Sequence, residues 1–224
     1  GSQDPYGLRR HALAVLRMLG EGKIRIPLGR LLAVGAESYG PRIGEPEKTI
    51  AEALRFFRGR LRNLLTDKGI PYDIVDAVLE VGIDDPGDLE KRALAIRDFR
   101  ERESFGRLVL GFKRVVNILK GAEAGGAVET ELLREAEERN LYEAAARAEK
   151  GLDRDLAAGD YRGAMGGLLD LREAIDLFFE KVLVMDKDER VRRNRLALLA
   201  EIAHLFFRLA DLSKVVLEGE KGTS

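Results

Sequence analysis

The sequence predicts an all-α fold, a multi-helix bundle, from three observations. Apolar residues recur at three- and four-residue spacing along almost the whole chain, and no segment alternates long enough to form a convincing strand. Three acid–proline pairs, Asp4-Pro5, Glu45-Pro46 and Asp85-Pro86, announce helix starts, because proline loses nothing at the first helical position and a preceding acid can take the next free amides. Finally, 224 residues that are 45% hydrophobic are enough to bury a real core in one or two domains.

Taken in order, the expected helices span about 5–19, 27–37, 47–67, 71–81, 86–102, 104–120, 129–149, 151–158, 161–184 and 187–217. Gly35 to Glu45, with four Gly or Pro residues, reads as the flexible connection of the first half, and Gly121 to Glu129 as that of the second. No repeat of solenoid length is visible. Gly1-Ser2 reads as either a cloning remnant or native sequence, and the tail 219–224 is expected to fray. The domain organisation expected is 1–84, an N-terminal helical region, followed by 85–218.

Three helices are informative when projected at 100° per residue. Helix 47–67 gathers Ile50, Ala53, Leu54, Phe57, Leu61 and Leu64 on one face and Arg55, Arg58 and Arg62 on the other. Uninterrupted like charge of this kind favours an anionic partner. Helix 104–120 places Phe105, Leu108, Phe112, Val115, Val116 and Leu119 inward. Its opposite arc carries Arg107, Lys113, Arg114 and Asn117, with Lys120 beside it, and suits either an RNA-facing stripe or a seam with charged edges.

The last helix opens with VMDKDERVRRNRLALL, in which acids give way to four arginines. Asp186 and Glu189 read as a capping box, so the arginines begin a turn in, where the helix dipole has faded. Arg195 shares a meridian with Leu199, Ile202 and Phe206, with Arg192 at its edge. These two are expected to brace neighbouring helices through carboxylates. Arg190, Arg193 and Asn194 point outward, and His204 and Arg208 continue that face. Phe207, also outward, is expected to pack in preference to stacking on a base.

Composition excludes much else. Without cysteine there is no disulfide framework, zinc finger or thiol nucleophile. Only His11 and His204 are present, and neither belongs to an HExxH pattern. No apolar run has the length of a membrane span, and no GxxxxGK[ST] phosphate loop occurs. The serines have no histidine nearby in sequence to activate them. Net charge is −1, which argues against wrapping long nucleic acid through bulk charge, although residues 1–66 carry 12 Lys+Arg against 6 Asp+Glu.

Several segments resemble a known family. DPYGLRRHALAVLRML, FFRGRLRNLLTDKGIPYDIVDAVLE, RALAIRDF, FKRVVNIL, GDYRGAMGGLLDLREAIDLFFEKVLVMD and VRRNRLALLAEIAHLFFRLADLSKV are similar, in order and spacing, to the C-terminal part of the bacterial glycyl-tRNA synthetase beta subunit. From about Asp85 onward the chain also resembles the helical anticodon-binding domain of the class I arginyl- and cysteinyl-tRNA synthetases. The resemblance implies a cytoplasmic protein of translation that binds tRNA-Gly and works with an alpha subunit and the remainder of the beta subunit. ATP and magnesium are expected on the alpha subunit and no cofactor on this chain, which alone is expected to be inactive. Residues 1–84 would include the tail of an upstream HD-like domain whose His-Asp pair would lie before Gly1. The residues expected at RNA are Arg107, Lys113, Arg114, Asn117, Arg190, Arg193, Asn194 and Arg208. A structural or subunit-assembly module with no RNA contact is the alternative.

Overall fold

A computed structural model describes residues 4, 6–22, 24–122 and 125–217. Gly1-Ser2, Pro5 and the tail 219–224 lie outside the described residues, as do Glu123 and Ala124 of the expected second connection. Ten α-helices and no strand occur among the described residues, so the fold is all-α as expected. The chain forms two compact units, Gly1–Arg97 and Asp98–Ser224.

The first unit contains α1 (Leu8–Gly20), α2 (Leu28–Tyr39), α3 (Pro46–Asp67), α4 (Tyr72–Glu80) and most of α5 (Pro86–Phe99). The long α3 packs against α1, α2 and α4, and Leu16, Leu61, Leu65, Ile74 and Val78 are among the buried side chains. Two of the three acid–proline starts fall where the sequence puts them, at Pro46 and Pro86. The first does not: α1 begins at Leu8, and the Asp4 carboxylate reaches forward to accept from the amides of Leu8 and Arg9 at 2.9 and 3.1 Å. Pro27, which precedes α2, has no side-chain acceptor to offer. Asp84 supplies the cap from 55 residues away, its carbonyl taking the Leu28 amide and its carboxylate the Gly29 amide. That bond and the ion pair of Lys68 with Glu90 tie residues 84–90 to the first unit, whereas the sequence divides the chain at 84/85.

Two of the three arginines on the basic back of α3 are engaged, whereas Arg55 stays exposed and, among the described residues, bonds only to the Ala51 carbonyl of its own helix. Arg58 donates to the Leu79 carbonyl and to Glu80, both at 2.8 Å, and Arg62 clamps Asp76 with two bonds of 2.5 and 2.8 Å. These guanidinium groups hold α4 against α3, which corrects the expectation of an anionic partner for Arg58 and Arg62.

The second unit contains α6 (Glu103–Leu119), α7 (Ala136–Ala158), α8 (Tyr161–Leu169), α9 (Arg172–Lys181) and α10 (Glu189–Phe207), with 3-10 turns at Thr130–Leu132 and Leu212–Lys214. Helix α10 packs against both α6 and α7, and it is buried on most of its circumference from Val191 to Phe206. Its apolar meridian matches the wheel: Leu199, Ile202 and Phe206 are fully buried. Phe112 of α6 stacks on Phe206 at a centroid distance of 4.4 Å, and Phe207 meets the same ring edge-on at 5.7 Å, so Phe207 packs as expected.

Three boundaries differ from expectation. The helices expected at 129–149 and 151–158 form one helix, α7, that starts seven residues later. It starts at Ala136 because the Glu138 carboxylate turns back to accept the Glu135 amide at 2.7 Å. Gly151 does not break it, since burial of Leu152 and Asp155 on the following turns outweighs the roughly 1 kcal/mol a mid-helix glycine costs. Conversely, the helix expected at 161–184 is two, α8 and α9, separated at Asp170 and the buried Leu171 after a run containing Gly163, Gly166 and Gly167. Of these glycines, only Gly163 is closely packed; a Cβ there would lie 2.6 Å from Asp160 and 2.9 Å from Asp155. The third difference is the end of α10 at Phe207. Leu209, Ala210, Leu212 and Val215 remain buried in a turn held by Asp211, whose carboxylate accepts from the amide and the hydroxyl of Ser213.

Arg195 is the polar centre of this unit. Its side chain is 4% exposed; it pairs with fully buried Glu138 of α7 at 2.8 Å and with Asp186 at 2.8 Å, and donates to the Leu183 carbonyl at 2.7 Å. The expected bracing role is therefore correct for Arg195, whereas Arg192 makes no such pair among the described residues. Removing one partner of a buried pair leaves an uncompensated charge. Arg195→Met is therefore expected to reduce unfolding free energy in urea by about 3–5 kcal/mol. Arg193→Met, two residues away on the surface, is expected to change it by less than about 1 kcal/mol.

Candidate nucleic-acid interface

The first turn of α10 decides what its arginines can do. The cap is Asp188, not Asp186: its carboxylate accepts from the amides of Arg190 and Val191 at 3.0 and 3.4 Å. Asp186 instead accepts the Asp188 amide at 2.9 Å and turns its other oxygen to Arg195. Both carboxyls are held below their ordinary range, Asp188 chiefly by the bond from Arg134 and Asp186 chiefly by the bond from the Asp188 amide. With these amides already taken, an anion approaching this helix end meets side chains.

Asn194 fixes the wall opposite. It is 4% exposed, and both ends of its amide are used: the oxygen accepts the Glu129 amide at 2.7 Å and the nitrogen donates to the Glu129 carbonyl at 3.0 Å. The two bonds lay the segment Gly125–Glu129 along α10. Burial and these two bonds make Asn194 a clasp on the Glu129 backbone, where the sequence has it reading a base.

Between this segment and α10 lies a cleft of about 420 Å³ lined by Gly125, Gly126, Ala127, Glu129, Arg190, Arg193, Asn194 and Ala197. Arg190 and Arg193 are side chains 67% and 62% exposed, facing Glu129 at 3.2 Å and Glu189 at 3.7 Å. Both carboxylates are themselves well exposed, so each pair contributes roughly 0–1 kcal/mol and can give way to a phosphate. The wheel's division of the cluster holds in part: Arg195 is inside and satisfied and Arg190 and Arg193 are outside and loosely held, whereas Arg192, expected inside, pairs with no carboxylate among the described residues, and Asn194, expected outside, is buried.

The remaining expected residues do not line this cleft. Arg107 is exposed and pairs with Glu103 one turn earlier, and Lys113 is half-buried. Arg114 lays its guanidinium over the Phe179 ring at 4.2 Å, which makes it part of the α6–α9 seam. Asn117 is exposed, and Arg208 pairs with Asp153 at 2.5 Å. Sequence reasoning missed Glu129, Gly125 and Gly126. The signal was present in the glycines of the expected connection, because Gly126 takes a φ of 97° that side chains with a Cβ rarely adopt.

A second cleft, also of about 420 Å³, adjoins the first and shares Gly126 and Ala197 with it. Tyr142, Ala145, Ala146 and Glu149 of α7 face Ala200, Glu201, His204 and Leu205 of α10. Burial raises the Glu201 carboxyl above its ordinary pKa, and the charge of Glu149 acts in the same direction. No group of three or more histidine, cysteine or acidic side chains suited to a metal occurs among the described residues, and none of their helices is long and apolar enough to cross a membrane.

Comparison with known proteins finds matches in both halves. A family model described as glycyl-tRNA synthetase beta subunit matches residues 1–80, and one described as DALR anticodon binding domain matches residues 109–212, which include both clefts. Glycine–tRNA ligase beta subunits align over nearly the whole chain. That of Citrifermentans bemidjiense is 40% identical over 96% of this chain and 31% of its own length. The Desulforamulus reducens protein is 38% identical over 97% and 32%, and the Clostridioides difficile protein 34% identical over 96% and 31%.

The Asn194 clasp has a measurable consequence. Asn194→Ala removes two part-buried bonds to the Glu129 backbone, whose carbonyl keeps the Leu132 amide, and is expected to destabilise the chain by about 1 kcal/mol. Amide hydrogen exchange should show the segment Gly125–Glu129 losing protection first.

Proposed function

Because the chain belongs to the glycyl-tRNA synthetase beta-subunit family, spanning about a third of the length of the curated relatives it matches, we propose that it grips tRNA-Gly on its anticodon side. One observation carries this reading. Within the part that matches an anticodon-binding domain, Arg190 and Arg193 stand exposed at the rim of a cleft, restrained only by solvated carboxylates. Guanidinium groups so placed can exchange those partners for phosphate oxygens with bidentate geometry. Phosphate contacts position the strand, and contacts to unstacked bases in the anticodon loop specify it. Of the other expected residues, Arg107, Lys113 and Asn117 on α6 would contribute secondary contacts; Arg107 would exchange its exposed partner Glu103, and Arg114 and Arg208 would have to leave Phe179 and Asp153.

The wider proposal is a cytoplasmic enzyme in which glycine activation with ATP and magnesium belongs to an alpha subunit. This chain, with the remainder of the beta subunit, would hold the tRNA and would by itself be inactive and without a cofactor. A second reading is favoured by the net charge of −1: a helical module that joins subunits by docking its basic rim on an acidic protein surface.

Filter binding of tRNA-Gly and a non-cognate tRNA across a salt series separates the two. RNA grip predicts that the double variant Arg190→Ala, Arg193→Ala binds more weakly to every tRNA and loses about two units of the log–log salt slope. Unchanged binding by that variant would remove the two arginines from the interface, and negligible affinity of the parent chain would favour the subunit module. Incubation of the chain alone with glycine, ATP and tRNA is expected to yield no glycyl-tRNA; turnover would contradict the assignment of chemistry to the alpha subunit.

A further inference from the structure

The first unit is unevenly filled. Leu28, Leu32 and Tyr39 follow one stripe of α2, and their cover thins along it: Leu28 is 0% exposed, Leu32 half-buried and Tyr39 60% exposed. Helix α3 shows the same gradient in reverse. Leu61 and Leu65 are 1% exposed, whereas Ile50, Leu54 and Phe57, on the same face but nearer the start of the helix, are only half-buried. From residue 29 to residue 60 no side chain is buried, although α2 and α3 pack against each other. Two amphipathic helices laid together leave part of each apolar stripe uncovered, and a further element normally closes it.

A polar group marks the same place as incomplete. Phe56, beside this stripe, is 37% exposed, and Arg60 one turn on lies over its ring at 5.3 Å. The Arg60 Nε–H is shut off from water and has no hydrogen-bond acceptor. Such orphaned donors are uncommon in a finished fold, and a ring face is a weak substitute. Charge indicates the kind of cover. Between residues 30 and 56, Arg30, Arg42, Lys48 and Arg55 are matched by four glutamates, so the surroundings of the stripe are neutral. A phosphate strand or an anionic membrane surface needs a positive excess, whereas an apolar protein face does not. The beta-subunit family model matches residues 1–80, which contain the whole hairpin, and the curated relatives carry about two thirds of their length outside the part they share with this chain. We propose that the stripe of Leu32, Tyr39, Ile50, Leu54 and Phe57 seats an apolar segment from the part of the beta subunit outside these 224 residues, and that this segment brings an acceptor to Arg60. The open stretch of each helix is eight residues, about 12 Å, so about two turns of an amphipathic helix fill it. The proposal rests on membership of the family and is independent of the arginine cleft in the second unit.

Hydroxyl-radical labelling read by mass spectrometry, carried out on the 224-residue chain and on the full-length beta subunit, tests this. In the chain, Tyr39 and Phe56 are expected to be oxidised as exposed rings. In the full-length subunit both are expected to react at least about fivefold more slowly, as aromatic side chains do once they enter the dry centre of an interface. Undiminished labelling there overturns the proposal. Protection that appears only when the alpha subunit is added also overturns it, because the occupant is then a different chain. So does protection already present in the 224-residue chain: sedimentation would assign it to a second copy if the chain is a dimer, and to the chain's own second unit if it is a monomer. None of these outcomes bears on tRNA binding at Arg190 and Arg193, so the two readings stand or fall separately.

Discussion

A single guanidinium, buried between carboxylates from two separate segments, sets the geometry on which the candidate interface depends. Arg195 reaches Glu138 at the start of α7 and Asp186 ahead of α10, and it takes the Leu183 carbonyl as well. Removing such a charge from water costs several kcal/mol, so the site is tolerable only with its hydrogen bonds complete and well aligned. That requirement constrains everything around it. Glu138 can meet Arg195 only if α7 begins where it does, and the same carboxylate closes the first turn by accepting the Glu135 amide. Asp186 must turn toward Arg195, so the cap of α10 passes to Asp188, which Arg134 supports from the other side.

The surface arrangement follows from this interior one. With the α10 start fixed and its amides occupied, Arg190 and Arg193 leave the helix on the side away from Glu138 and find only exposed acids. One turn of one helix thus carries a guanidinium that cannot be released and two that can. Asn194 performs the complementary task between them, converting a glycine-rich segment into the wall of a cleft by binding the Glu129 backbone at both ends. Near-neutral overall charge is compatible with this design, because local exposure of two cations counts for more at a short strand than the total over the chain.

Much of this was legible in the sequence, and the misses share a cause. Periodicity gives the inward face of a helix, and Leu199, Ile202, Phe206 and Arg195 all lie where the wheel of α10 puts them. What covers the outward face is not in the periodicity. Asn194 sits beside Arg193 on the wheel, yet the segment around Glu129, 65 residues earlier, buries one and not the other. Arg58 and Arg62 appear uncompensated on α3 until α4 folds back with Asp76 and Glu80. Arg114 is similarly claimed by Phe179. Asp84, capping α2 from the far side of two helices, left no local signal at all.

The central claim is that one stripe of α10, bordered by the segment Gly125–Glu129, is where RNA settles. Ultraviolet cross-linking of tRNA-Gly to the chain, mapped by mass spectrometry, tests it most directly. The account predicts adducts concentrated within residues 125–129 and 190–197. Adducts confined to α6 or to the first unit, with α10 unmarked, would contradict it.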